Sequence, residues 1–354
     1  MKHLHGPSRV PSQLLLLATL ALLVAACTPS PPTPPGPTSG NATSGPLSSA
    51  TAKATDTPPL SKEYTLSLAT SGTDESYYDY GKALASVWSA NLKGVRVTAE
   101  TAGASVGGLR SLGANQVDMA LAQSDIASYA YNGTQMFHDK ITNLRAVAVL
   151  YPQLVQWVVS PDAIRSVAGM KGSQIGVGPA GSGSEANTNE ILGVDGIAYK
   201  DLTKALFLSS TEAVDAFKSQ QIDGFCLTDG VPSPAIVDVA NSMKIGFLPI
   251  SGELAQKVTT TYKGFSPATI PAGSYKGVTT PVDTVAVQAI LVVRQDLDND
   301  LVYWLTRTLV EKQAELAQAD PLGKAFSPES AIKDLPIPLH PGAERYYRET
   351  GILK

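Results

Sequence analysis

The sequence predicts an α/β protein of two lobes, and three observations predict it. From Tyr64 onward short apolar strands alternate with amphipathic helices, which is the rhythm of βαβ units feeding a parallel sheet. A near-continuous apolar run from Leu144 to Val159 is broken at Tyr151-Pro152-Gln153, as expected where a strand crosses between lobes. Beyond a glycine-rich turn at 176–184 the same rhythm starts again.

The elements follow from pattern and punctuation. Tyr64 to Ala69 alternates and reads as the first strand. Tyr77, Tyr80, Leu84, Val87, Trp88 and Leu92 fall at helical spacing. Val95 to Ala99 is a second strand, and Gly103 to Gly108 opens a helix carrying Val106, Leu109 and Leu112. Val117 to Ala122 is a strand, with Gln123-Ser124-Asp125 at the start of the helix after it. In the second lobe, strands are expected at 173–177, 206–208, 224–227 and 244–248, with helices at 211–219 and 235–243. Thr284 to Val293 is the expected return strand. Asp300 to Gln318 reads as one long amphipathic helix, and a last helix starts near Pro341.

Composition bounds the function. The 354 residues are 43% apolar and 16% charged with a net charge of −4, an ordinary globular balance with room for a two-domain core. Mild acidity gives no reason to expect a nucleic-acid partner. Two cysteines make neither a disulfide framework nor a zinc motif, and no metal or cofactor is expected. The N-terminus reads as an export signal: Lys2 and Arg9 precede an apolar run, Leu14 to Ala26, that is short for a bilayer span. The run ends Val24-Ala25-Ala26-Cys27, which resembles a bacterial lipobox and implies lipidation at Cys27. From Thr28 to about Leu60 the chain is Pro-, Ser-, Thr- and Gly-rich, an extended tether. The expected organisation is therefore a signal at 1–26, a tether at 27–62, lobe one at 63–154, lobe two at 155–283, and a return to lobe one with C-terminal helices at 284–354. The protein is expected outside the cytoplasm, anchored to the cell membrane by lipid.

The stretch Gly176-Val177-Gly178-Pro179-Ala180-Gly181-Ser182-Gly183-Ser184-Glu185 carries the expected chemistry. A strand, a glycine turn and a helix N-terminus make an anion site, because the first amides of a helix have no intrahelical partner and the dipole favours negative charge. The spacing also fits a dinucleotide fingerprint, but an exported chain is a poor setting for that cofactor, and no Lys-Ser/Thr follows to make a Walker loop. A carboxylate-bearing solute fits best.

Four separated segments then bear a likeness to a known family: Ala122-Gln123-Ser124-Asp125, Gly178 to Glu185, Phe265 to Tyr275, and Pro336-Ile337-Pro338-Leu339-His340-Pro341-Gly342-Ala343. From about Tyr64 to the C-terminus the chain resembles the TAXI family, the extracytoplasmic solute receptors of one class of TRAP transporters. The resemblance implies a two-lobed periplasmic-binding-protein-like fold of type II, each lobe a βαβ sheet flanked by helices, with a ligand cleft between. It implies binding of a glutamate-like amino acid or dicarboxylate and delivery to a TRAP-type membrane permease. Carried over, its ligand loops fall on Ser71, Gly72 and Thr73, on Tyr77 and Tyr78, on Gln123, Ser124 and Asp125, on Tyr151, on Gly181, Ser182, Gly183 and Ser184, and on Asp229 with Pro232. One departure stands out. The family's first loop is usually glycine-rich, whereas here Asp74 and Glu75 precede the tyrosine pair. Acids are favoured at a helix start, so both are expected to face solvent there; the other readings have them bind the ammonium of an amino acid or indicate an unusual ligand.

An enzyme is the rival reading. Gly103-x-Ser105-x-Gly107 fits a nucleophile elbow between strand and helix, and His340 would have to serve Ser105 as base in a secreted esterase.

Overall fold

The computed structural model describes Leu60, residues 62–161 and residues 164–354. The signal segment, Cys27 and the tether up to residue 59 lie outside the described residues. The chain runs β1 (Tyr64–Thr70), α1 (Ser76–Asn91), β2 (Val95–Thr101), α2 (Ala104–Gly113), β3 (Met119–Gln123), α3 (Ser124–Asn132), then the long β4 (Leu144–Val159). It continues through β5 (Gln174–Gly176), α4 (Gly183–Val194), β6 (Lys204–Leu206), α5 (Ser210–Lys218), β7 (Gly224–Asp229), α6 (Pro234–Ser242), β8 (Gly246–Phe247), α7 (Gly252–Thr261) and β9 (Ser266–Ile270). The second long strand, β10 (Val282–Arg294), leads to α8 (Asn299–Glu311), α9 (Gln313–Ala319) and α10 (Pro341–Glu349).

The strands form one sheet in the order β2-β1-β3-β10-β4-β7-β5-β6, with β8 against β4 and β9 against β10. Alternation of strand and helix makes β1, β2 and β3 parallel, and likewise β5, β6 and β7. Between these two parallel groups run β4 and β10, antiparallel to each other. β10 also pairs antiparallel with β3, and β4 with β7. The sheet is thus mixed and continuous, where a parallel sheet in each lobe was expected. The reason is that the two crossing strands are long enough to belong to both halves.

Each half buries its own core. In the first, α1 places Tyr80, Leu84 and Trp88 against Leu301 and Leu305 of α8 and Tyr347 of α10. Trp88 Nε1 donates to the Leu305 carbonyl at 3.0 Å, so the one polar atom of that ring is satisfied inside the core. The opposite face is covered by α2 and α3, through Leu109, Leu112 and Ile126. In the second half, Trp157, Ile175, Ile191 and Leu192 pack on one face, and Phe217, Phe225, Ile236 and Val239 on the other. Each fully buried side chain of this size contributes about 1.5–3 kcal/mol.

Several elements depart from the sequence reading. Pro152 does not break β4. It is exposed, it faces Gln288, and the β7 ladder begins only at Leu154. The register with β10 slips beside it, between Ala289 and Ile290, and a proline is tolerated at such irregularities. The strand expected at 206–208 lies at 204–206, leaving Phe207 48% exposed. The strand expected at 244–248 shrinks to Gly246 and Phe247. The long C-terminal helix is two helices, because Lys312 leaves helical geometry at φ −105°, ψ 21°.

Candidate functional site

The C-terminal ends of β1, β3 and β7 and the N-termini of α1, α2, α4 and α5 converge where the two halves meet. They line a cavity of about 20 Å3, room for about one water-sized group. Ser71, Glu75, Tyr77, Ser105, Gln123 and Gln153 line it from the first half. Ser182, Gly183, Ser184, Ser210, Thr228 and Asp229 line it from the second. A larger solute therefore enters only if the halves part.

The glycine turn has a structural logic of its own. Gly178 takes φ +95°, and a Cβ there would lie 2.8 Å from the Glu185 amide, so the turn needs glycine. Ser182 is the N-cap of α4, its hydroxyl accepting from the Glu185 amide at 3.1 Å. Ser184 Oγ accepts from the Thr228 amide at 3.0 Å, docking the helix onto β7. Gly183 is glycine because of the opposite wall: a Cβ would lie 1.7 Å from Gln123 Oε1. Gly183 and Ser184, the first two residues of α4, line the cavity, and the first amides of a helix favour an anion.

Tyr77 donates its hydroxyl to Gln153 Oε1 at 2.8 Å, so a flat ring lines the cavity while its polar tip is used. Tyr151 stands behind it, ring centroids 6.4 Å apart and nearly perpendicular, and packs on Tyr80 at 4.8 Å. Its hydroxyl is 3.3 Å from Ser76 Oγ.

The acids of the first loop do not face solvent at the start of α1. Asp74 crosses to the other half, where its Oδ2 accepts from both the amide and the hydroxyl of Thr211, each at 2.7 Å. It thereby supplies a cap-like acceptor to α5, beside the helix's own N-cap, Ser209. Glu75 occupies the N-cap position of α1 yet makes no capping bond. Instead its Oε1 accepts from Ser210 Oγ at 3.1 Å. The exchange is reciprocal: Ser76, the first residue of α1, donates its hydroxyl to Asp229 Oδ1 at the end of β7, and the Gly230 amide donates to the same oxygen at 2.8 Å. Burial, then the charges of Asp229 and Asp74, push Glu75 up to about 7. Burial also raises Asp229, against the Ser76 hydroxyl bond.

A second acidic contact joins the halves away from the cavity wall. Asp125 Oδ2 accepts from Asn187 Nδ2 at 2.7 Å, and Glu190 Oε1 accepts from the Tyr129 hydroxyl at 2.7 Å. Burial pushes Asp125 up to about 6. Burial and then Asp125 push Glu190 up to about 8.

Of the residues expected to hold ligand, Ser71, Tyr77, Gln123, Ser182, Gly183, Ser184 and Asp229 are brought together at the cavity. The others are not on its wall. Gly72 makes room for Asp74, since a Cβ there would lie 2.8 Å from Asp74 Oδ1, and Thr73 is exposed. Tyr78 is only half-buried, with the Lys82 ammonium 4.6 Å from its ring centroid. Ser124 spends its hydroxyl on the Gln288 amide at 3.2 Å, Asp125 is engaged by Asn187, and Gly181 is exposed. Gln153, Ser210 and Thr228 were not foreseen. The first and last sit in buried strand sequence, and Ser210 reads as an ordinary helix start.

The esterase pairing fails on position. His340 is fully buried at the N-cap of α10, its Nδ1 accepting from the Gly342 amide at 3.1 Å, and it does not line the cavity. Ser105 Oγ accepts from the Gln123 amide at 3.0 Å, a structural role.

The mixed sheet, the paired crossing strands and a cavity walled by both halves define a type II periplasmic-binding-protein fold. The chain belongs to the NMT1-like family, whose match spans residues 68–351. Solved structures resemble it at low identity. A protein of Bordetella bronchiseptica RB50 shares 16% identity over 81% of this chain and 98% of its own, with a TM-score of 0.50. PhnD1 from Prochlorococcus marinus (MIT 9301), in complex with methylphosphonate, shares 14% over 82% and 99% at 0.49. The alkanesulfonate-binding protein SsuA from Xanthomonas axonopodis pv. citri, bound to MOPS, shares 18% over 82% and 85% at 0.46. Among the described residues no helix is long and apolar enough to cross a membrane.

Proposed function

We propose that the chain is an extracytoplasmic solute receptor that closes two lobes, 155–283 against 63–154 with 284–354, on a small carboxylate-bearing solute. The observation that carries this is the cavity at the junction of the halves, walled by helix N-termini and hydroxyls from both. The solute carboxylate sits at the first turn of α4, against Gly183 and Ser184, where amides and dipole stabilise it. Tyr77 packs on the solute body, and Gln123 receives a polar group. The likeness to TAXI receptors supports handing the solute to a TRAP-type permease, and the lipobox supports anchoring through Cys27. Glutamate-like amino acids and dicarboxylates are the family's expectation for the solute.

Isothermal titration with carboxylate-bearing solutes, combined with small-angle scattering, tests the reading. A bound solute should reduce the radius of gyration relative to the parted form. Saturating binding with an unchanged radius, or no binding by any such solute, overturns it.

A further inference from the structure

Resting on the reading of this cavity as the solute site, we propose that Glu75 is its specificity-determining residue: together with Asp229 it receives an ammonium group, so that the solute carries an amine and no second carboxylate. The wall of the cavity holds two carboxylates, Glu75 and Asp229, and no lysine, arginine or histidine. Their partners are neutral. Ser210 serves Glu75, and Ser76 with the Gly230 amide serves Asp229. Buried carboxylates are favoured by a paired opposite charge, and in this cavity only the solute can bring one.

The remaining polar atoms of the wall agree. Gln123 Oε1 and Thr228 Oγ1 are buried without a partner, on side chains 2% and 5% exposed, and both residues line the same cavity. An ammonium offers three donors and no acceptor, which suits two carboxylates and an amide oxygen. A second carboxylate would add a further negative charge beside Glu75 and Asp229, with no side-chain cation on the wall to meet it. Glu75 is free for this role because it does not cap its own helix. Asp74 is not, because Thr211 engages it outside the cavity.

The test uses the purified chain and four short probes: γ-aminobutyrate, putrescine, glutarate and butyrate, followed by wider sets of amines and dicarboxylates in a thermal-shift screen. Wild type should bind amine-bearing probes at least about tenfold more tightly than their amine-free counterparts, the scale of one charge-assisted contact. Glu75→Gln, close to isosteric, should erase that preference. Asp74→Asn, which touches the inter-lobe contact but not the cavity, should weaken all binders by the same factor and keep the preference. Melting temperatures confirm that both variants fold. Glutarate or glutamate bound as tightly as γ-aminobutyrate, or a preference that survives Glu75→Gln, overturns the assignment while leaving a solute receptor. Binding by neither set removes the receptor reading and the assignment with it.

Discussion

Replacing Asp74 with alanine should shift the molecule toward a parted form. Asp74 lies in the loop between β1 and α1 of one half, and Thr211 is the second residue of α5 on the other. Their two 2.7 Å bonds supply a cap-like acceptor across the cleft, beside the helix's own N-cap, Ser209. A cap removed in this way costs about 0.5–2 kcal/mol. Thr211 is exposed and Asp74 only half-buried, so solvent screening keeps the figure well below that of a buried charged bond. Taking about 1–2 kcal/mol, the ratio of joined to parted molecules falls roughly five- to thirtyfold, and solute affinity falls with it. Global stability should change little, because neither residue belongs to a hydrophobic cluster. The assay is small-angle scattering without and with solute, beside a titration. An Asp74→Ala variant with wild-type scattering and wild-type affinity would refute the idea that this contact holds the halves together.

Gly183→Asp should abolish solute binding and leave the melting temperature near wild type, because its Cβ would collide with Gln123 Oε1 only when the halves meet; retained affinity would show that the turn is merely a turn. The inter-lobe carboxyl Glu190 is raised from 4.5 to about 8, so the unfolded chain loses its proton first as pH rises. Stability should therefore decline between about pH 4.5 and 8 and level off above, and Glu190→Gln should flatten that decline in a pH series of melting curves. No ester turnover is expected, and Ser105→Ala should change no hydrolysis rate; turnover lost in that variant would revive the esterase. Cys27→Ala should move the protein from the membrane to the soluble fraction on cell fractionation, and identical partition would end the anchoring proposal.

What could be read from sequence was local. The turn at 176–184 was legible because strand, glycines and helix start are contiguous, and Ser182 does cap α4. The two-lobed course was legible because the run around Pro152 and the long strand near 284–293 had to belong to both halves. The place of Glu75 at the junction of the halves was not legible. Its partner Ser210 is 135 residues away, and the Ser76–Asp229 contact spans 153. An acid before a helix looks like a cap whatever it touches, and only the meeting of the halves reassigns it. Tyr151 was placed on the wall by the family likeness, yet Tyr77 stands in front of it. Gln153 was invisible for the converse reason, being a single polar residue inside an apolar run.

The central claim is that a small solute is held between Gly183 and Glu75. The most direct test is to denature the purified protein, identify by mass spectrometry any small molecule it releases, and titrate that molecule back onto wild type and Gly183→Asp. One molecule bearing an amine and a carboxylate, rebinding to wild type and not to the variant, is the predicted result. A released molecule that rebinds equally to both would contradict the account.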